Sequence, residues 1–185
     1  MLRRIGALSS SAMIRLFAFL VFLCAAVPAR ADIVVRFFDG TPEDLISIRN
    51  EDVCETGPIS VTIDLRQSAG GLFFDTTAGG AGFSEWQPFR VVGGAGFVDR
   101  LTPVSDGTQV LTIAFRNIPP NGLTTITTDL DDALPGSPTG PTIVDGAEIA
   151  GALVSLTVGE KDIPVSEAQF DVNSTATVPL SVCIS

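Results

Sequence analysis

The sequence predicts an all-β protein: a single antiparallel β-sandwich, immunoglobulin-like or jelly-roll-like, after an N-terminal signal peptide. Three observations support this fold class. Apolar and polar residues alternate with a period of two in several short runs, which is typical of strands with one face in water. Glycine (18 residues) and proline (12 residues) separate these runs as turns. No apolar run is recognised as preceded by the capping residues that begin a helix.

The predicted strands follow the chain in order. Residues 32–39 and 45–49 form two short β-rich runs, and 58–65 is the clearest alternation. Residues 68–89 are interpreted as two core strands joined by a glycine turn. Further strands are predicted over 90–92, 108–115, 123–131, 163–172 and 175–182. The ambiguous segment 147–158 is assigned to a strand, because no capping box is recognised before it. About ten short strands favour a sandwich.

Large aromatic side chains indicate where the core lies. Trp86, Phe73, Phe83 and Phe115 are predicted to lie in or near it, since aromatic residues bury the largest areas. The sequence Gly-Gly-Ala-Gly-Phe occurs at 79–83 and again at 93–97. This repeat predicts two similar turns at one end of a sheet.

Residues 1–31 have the pattern of a signal peptide. Arginines at 3, 4 and 15 form a positive region before an apolar run over residues 16–27, and Ala29-Arg30-Ala31 provides a cleavage site. An uncleaved anchor is the alternative, although a membrane span needs about 20 apolar residues. Residues 32–185 are then one secreted β-sandwich domain without a membrane span. Its expected location is extracellular, or periplasmic if the source is bacterial and export stops there.

The charge of the chain limits its partners. Removal of residues 1–31 takes away four arginines and no acid, which lowers the formal net charge from −10 to −14. A surface this acidic repels phosphates and anionic lipids, so nucleic acid is not an expected partner.

The residue inventory excludes several kinds of catalysis. The chain has no histidine and no tyrosine. Nucleophile–histidine pairs, histidine-ligated metals and histidine acid–base chemistry are therefore excluded. No catalytic residue is predicted, and the domain is expected not to be an enzyme. The alternative is a hydrolase of extracellular polysaccharide with two carboxylates, Asp75 with Glu85 or Asp129 with Asp131. A solvated surface is the expected setting of these acids.

Two cysteines remain after the signal peptide is removed. Cys24 lies inside the apolar run, which leaves Cys54 and Cys183. An even number of cysteines in an exported domain predicts a disulfide between them. Two unpaired thiols in the core are the alternative.

Asp129, Asp131 and Asp132 form the densest acidic cluster. Residues two apart on a strand share a face, which would place the carboxylates of Asp129 and Asp131 side by side. Hard carboxylate oxygens at this density suit Ca²⁺, with further ligands from carbonyls of residues 134–140, water, or a distant acid such as Asp39 or Asp145. Acids without a bound ion at the end of a strand are the alternative.

The order of several motifs resembles a known family. These motifs are Ser68-Ala-Gly-Gly-Leu-Phe-Phe-Asp75, Gly79-Gly-Ala-Gly82, Glu85-Trp-Gln-Pro-Phe89 and Thr128-Asp-Leu-Asp-Asp132. They resemble bacterial exported proteins called aggregation factor core proteins, named for similarity to the core of a calcium-dependent adhesive proteoglycan of sponges. The resemblance covers most of the mature chain and implies a secreted adhesion or matrix β domain without catalytic residues. The implied partners are an extracellular glycan, a cell-surface protein or a second copy of the chain.

Overall fold

A computed structural model describes residues 31–40, 43–82, 86–132, 143–159 and 164–180. These ranges contain twelve strands, one short helix and two 3₁₀ turns. The strands are β1 (Ala31–Phe38), β2 (Asp44–Asn50), β3 (Ile59–Asp64), β4 (Phe73–Phe74), β5 (Arg90–Gly93), β6 (Val98–Leu101), β7 (Val110–Phe115), β8 (Leu123–Thr128), β9 (Leu130–Asp131), β10 (Leu153–Val158), β11 (Ser166–Gln169) and β12 (Thr175–Leu180). The helix is α1 (Gly146–Ile149), and the 3₁₀ turns are Leu65–Gln67 and Ala95–Phe97.

Ten of the strands form two antiparallel sheets that face each other. The first sheet has the order β12-β1-β2-β8-β5, and the second has the order β11-β10-β3-β7-β6. The chain passes directly from one large sheet to the other between β2 and β3, between β5 and β6, between β7 and β8, and between β11 and β12. It also crosses from β3 to β5 by way of β4, and from β8 to β10 by way of β9. The predicted all-β sandwich is confirmed. Within the described ranges, no helix is long and apolar enough to cross a membrane.

The core lies between the two sheets and follows the alternation of the sequence. In β3, Ile59, Val61 and Ile63 are buried, whereas the residues between them are half-buried on the outer face. Strands β1, β2 and β7 contribute their own alternate apolar residues to the same cluster. Burying one such side chain fully stabilises the fold by about 1.5–3 kcal/mol. The period-two pattern therefore determines which face of each strand points inward.

The aromatic prediction is partly confirmed. Phe73 and Phe115 are buried, as expected. The prediction for Trp86 is wrong, since 41% of this residue is exposed. It follows a glycine-rich turn and lies outside any strand, so nothing draws its side chain between the sheets. Phe83 lies outside the described residues.

The strand predicted over 147–158 is right only for its second half. Its first half belongs to α1, which a capping box begins. The carboxylate of Asp145 accepts hydrogen bonds from the N–H groups of Ala147 and Glu148, and Oε2 of Glu148 accepts one from the N–H of Asp145. This D-x-x-E pattern satisfies the free N–H groups of a helix start, and the sequence analysis overlooked it.

The predicted strand over 123–131 is interrupted at Asp129. Its first part, β8, belongs to the first large sheet, whereas β9 pairs with β4 in a separate two-stranded sheet. The two core strands predicted within 68–89 are reduced to β4 alone in the described part of that stretch. This small sheet places Asp75, which follows β4, opposite Asp129, just before β9, and the N–H of Asp75 donates a hydrogen bond of 3.0 Å to the carbonyl oxygen of Asp129.

The two glycine-rich turns lie at opposite ends of β8, which corrects the prediction of one shared end. A Cβ built on Gly94 would lie 2.3 Å from the carbonyl oxygen of Leu123, at the start of β8. A Cβ built on Gly82 would instead meet Asp131, beyond the end of β8. Gly94 also has a φ of +67°, a conformation that side chains with a Cβ rarely adopt. The turns share a sequence but have different neighbours.

The edges of the sandwich carry irregularities. The pairing of edge strand β5 with β8 shifts register between Val91 and Gly93, and that of edge strand β6 with β7 shifts between Val98 and Arg100. On the opposite side, edge strand β12 contains Pro179 and edge strand β11 is four residues long.

Candidate functional site

Buried acids lie where β8 gives way to β9. Asp129, Asp131 and Asp132 of this segment are 6%, 0% and 2% exposed. Asp44 and Asp75, from two other parts of the chain, are equally buried beside them. The expectation of a solvated acidic surface is therefore wrong at these positions. An ionised carboxylate is costly to bury, so this end of the sandwich requires a physical explanation.

The calcium prediction for Asp129, Asp131 and Asp132 remains a prediction. The carbonyl oxygens expected from residues 134–140 lie outside the described residues. In the described part of the chain, no group of three or more histidine, cysteine, aspartate or glutamate residues is placed to hold a metal ion. Asp145, named as a distant ligand, instead caps α1.

Asp44 fixes the chain at the start of β9. Its Oδ2 accepts a hydrogen bond of 2.9 Å from the N–H of Leu130, and its Oδ1 accepts one of 3.3 Å from the N–H of Gly40. Burial raises the pKa of Asp44 to about 7, and the carboxylates of Asp39 and Asp131 act in the same direction. The Asp44 carboxyl group thus holds the backbone in place, and it titrates near neutral pH.

Asp75 lies next to the carboxylates of Asp106 and Asp131. A Cβ built on Gly82 would lie 2.2 Å from Oδ2 of Asp75 and 2.3 Å from Oδ2 of Asp131. Because both oxygens lie this close to one point, they also lie close to each other. Burial raises the pKa of Asp75 to about 6, and a hydrogen bond to Asp106 and the charge of Asp131 add to this effect. The structure thus forms a pair, Asp75 and Asp131, that the sequence analysis did not propose.

Asp106 organises the turn that covers this pair. Its carboxylate accepts hydrogen bonds from three backbone N–H groups, those of Thr76, Thr77 and Ala81. The bonds from Thr76 and Ala81 are the main causes that lower the pKa of Asp106. Asp106 therefore stays ionised and holds the turn over the neighbouring carboxylates.

The two carboxylate pairs of the hydrolase alternative have different outcomes. Glu85, the proposed companion of Asp75, lies outside the described residues. Asp129 and Asp131 are both buried. The grooves on the outer faces of the two large sheets, described below, do not include any of these acids in their lining.

The disulfide prediction also stays a prediction, since Cys183 lies outside the described residues. The described residues around Cys54 and before Cys183 lie close together, as the predicted bond requires. The side-chain amide of Asn50 donates hydrogen bonds to the carbonyl oxygens of Cys54 and Ile118, which fixes the loop after β2. Leu180, the last residue of β12, pairs with Ala31. The next residue of β1, Asp32, accepts a hydrogen bond from the N–H of Glu51, so β12 ends beside the loop that holds Cys54.

Each sheet has a groove on its outer face. The groove on the second sheet has a volume of about 660 Å³ and is lined by hydroxyl-bearing residues such as Ser60, Thr62 and Thr112, with Arg100 at its side. The hydroxyl groups of Thr62 and Thr112 lie 2.9 Å apart. The groove on the first sheet, about 270 Å³, is lined by apolar residues and by Arg36 and Arg49. Of these two grooves, the one on the second sheet is the larger and the more polar.

The sequence analysis missed Asp44 and Asp106 and did not pair Asp75 with Asp131. A partial signal was present at Asp75, which directly follows the apolar run Leu72-Phe73-Phe74, whereas Asp131 follows a single leucine between two acids. Their pairing depends on β4 meeting β9 across more than fifty residues, which no local pattern encodes. Comparison with known proteins adds no relative: no family model, no curated protein and no solved structure matches the chain.

Proposed function

We propose that this chain is an exported, non-enzymatic β-sandwich module that binds at cell surfaces or in an extracellular matrix, with calcium assisting. The resemblance to aggregation factor core proteins and the predicted signal peptide both support this role. The absence of histidine and tyrosine from the sequence supports a module without catalysis.

One observation carries the proposal. Of the candidate acids that the structure describes, Asp75, Asp129 and Asp131 are buried, whereas the outer face of the second sheet is a broad groove lined by hydroxyl groups. Hydroxyl groups on a rigid sheet exchange hydrogen bonds with polar ligands such as glycans without any bond being broken. This arrangement favours recognition over turnover.

The groove of the second sheet is the proposed recognition face. Thr62 lies in it, and its hydroxyl group is near that of Thr112. Ser47 lines the groove on the opposite sheet and serves as a matched control position. An arginine at either position would fill its groove without entering the core, since both residues are half-buried on an outer face.

The test combines self-association with ligand binding. The purified exported protein is examined by sedimentation velocity and on a glycan array, with millimolar calcium or with a chelator. We expect association or glycan binding that requires calcium, is lost in Thr62→Arg and is retained in Ser47→Arg. A protein that stays monomeric and binds neither glycans nor cell surfaces under both conditions would disprove the proposal.

The hydrolase alternative is tested on the same samples. Asp75 and Asp131 form a close carboxylate pair, and the raised pKa of Asp75 resembles that of a general acid. Release of reducing sugar from extracellular polysaccharide, lost in Asp75→Asn, would establish this activity in place of the proposed module.

A further inference from the structure

The space beneath Gly82 is bounded by two carboxylates from distant parts of the chain. Oδ2 of Asp75 and Oδ2 of Asp131 both lie within 2.3 Å of the point that a Cβ on residue 82 would occupy. Any side chain at position 82 would therefore displace them. Only glycine allows the turn to close over this pair while the two oxygens stay together.

Asp75 adds a second and independent observation. Its side chain is 98% buried, since the residue is 2% exposed. Among the described residues, no donor reaches its Oδ1 atom. The described groups that act on this carboxyl are two further carboxylates, those of Asp106 and Asp131, and one backbone N–H, with no arginine among them. A buried carboxylate in such a setting is costly unless a positive charge or a proton neutralises it.

We propose that Asp75 and Asp131 together bind one hard divalent cation, calcium, beneath the turn that ends at Gly82. Carboxylate oxygens are donors that Ca²⁺ prefers, and here they come from the residue after β4 and the last residue of β9. Asp106 does not ligate the ion but positions the turn above it, because its oxygens accept hydrogen bonds from backbone N–H groups.

The ion at this pair is bound weakly. Ca²⁺ takes six to eight oxygen ligands, so two carboxylates leave most positions to water and backbone carbonyls. Dissociation constants of about 10⁻⁴–10⁻³ M are typical of extracellular calcium modules. The site shares Asp131 with the cluster predicted from the sequence but replaces Asp129 and Asp132 with Asp75. It deepens the calcium-assisted part of the proposed function and rests on it, although binding is measured without reference to adhesion.

Terbium luminescence provides a direct test, because Tb³⁺ occupies calcium sites and is sensitised by a nearby indole ring. Trp86 is the only tryptophan in a chain without tyrosine. The N–H of the next residue, Gln87, donates a hydrogen bond of 3.4 Å to the carbonyl oxygen of Asp75. Wild-type protein is expected to give saturable terbium emission that millimolar Ca²⁺ displaces.

Two variants examine the pair by different means. Asp75→Asn removes one charge, and Gly82→Ala inserts a methyl group between the two carboxylates. Both are expected to weaken Tb³⁺ and Ca²⁺ binding at least tenfold. Their matched controls are Asp99→Asn, which removes an exposed acid, and Gly96→Ala, where a Cβ would meet nothing within 4 Å. Both controls are expected to bind as wild type does.

Circular dichroism shows whether each variant is folded. If one of the two variants does not fold, the binding measured for the other tests the proposal. Emission that is absent in wild type, or that Ca²⁺ fails to displace, would overturn the proposal. So would equal binding by Asp75→Asn and Asp99→Asn. Loss of binding in Asp129→Asn with full retention in Asp75→Asn would place the ion elsewhere and also overturn it. Cation binding without adhesion would leave this site standing and disprove only the proposed function.

Discussion

Replacement of Asp44 by asparagine is expected to stabilise the folded domain at alkaline pH and to change it little in acid. The Asp44 carboxyl group is buried and accepts hydrogen bonds from the N–H groups of Leu130 and Gly40. Asparagine has nearly the same shape and keeps an acceptor oxygen for Leu130, but it cannot ionise. The variant therefore isolates the cost of burying the charge.

The magnitude follows from the pKa of Asp44, which burial raises from 3.8 to about 7. Between these values the folded protein keeps a proton that the unfolded chain has released. The stability from this group is thus complete below about pH 4 and is lost as the pH rises through about 7. About three pKa units, at about 1.4 kcal/mol each, correspond to a loss of about 4 kcal/mol, as an order of magnitude.

The assay is urea unfolding followed by circular dichroism between pH 4.5 and 8.5, in the presence of a chelator. The free energy of unfolding of wild type should fall over this range more steeply than that of Asp44→Asn. Asp75 has a raised pKa in both proteins and does not affect the difference. Asp99→Asn, which removes an exposed charge, controls for the acidity of the whole chain. Parallel curves for wild type and Asp44→Asn would refute the reasoning.

Three further predictions concern the scaffold. Phe74→Ala, at a fully buried position, should lower the free energy of unfolding by about 3–5 kcal/mol in urea unfolding; a loss below about 1 kcal/mol would contradict its place in the core. Gly94→Ala should destabilise the domain by more than about 1–2 kcal/mol, because the added Cβ clashes with backbone at a residue whose φ is already unfavourable for a side chain. In the same experiment Gly96→Ala should have little effect, and equal losses of stability in the two variants would disprove the reasoning. Cys54 and Cys183 should form a disulfide that mass spectrometry detects in exported protein, and replacing both with serine should cost up to about 4.7 kcal/mol. Two free thiols would disprove the bond.

The large sheets could be predicted from the sequence because their signal is local. In β3 and β7, apolar residues at every second position both predict the strand and fill the core. A one-residue shift would bring the hydroxyl groups of Ser60 and Thr62 into the core, so the pattern leaves one acceptable register. Strands of this kind need no information from distant parts of the chain.

The site could not be predicted, because its signal is not local. Asp75 and Asp131 look like ordinary surface acids until β4 pairs with β9, and that pair is two residues long. Trp86 was misjudged for a related reason, since aromatic character predicts burial only where a strand directs the side chain inward. The capping box of Asp145 and Glu148 was a readable signal that was overlooked.

The irregular borders of the sandwich restrict how copies of the protein can join. A straight, regular border strand offers free N–H and C=O groups to a neighbouring molecule and promotes amyloid-like stacking. Here register shifts at Val91 and Val98 interrupt edge strands β5 and β6. Pro179 removes an N–H donor from edge strand β12, and edge strand β11 is short and contains Glu167. Molecules that cluster must therefore meet through the broad outer surfaces of the sheets. Contacts of that kind can separate again when a ligand or an ion is withdrawn, whereas fused sheets cannot.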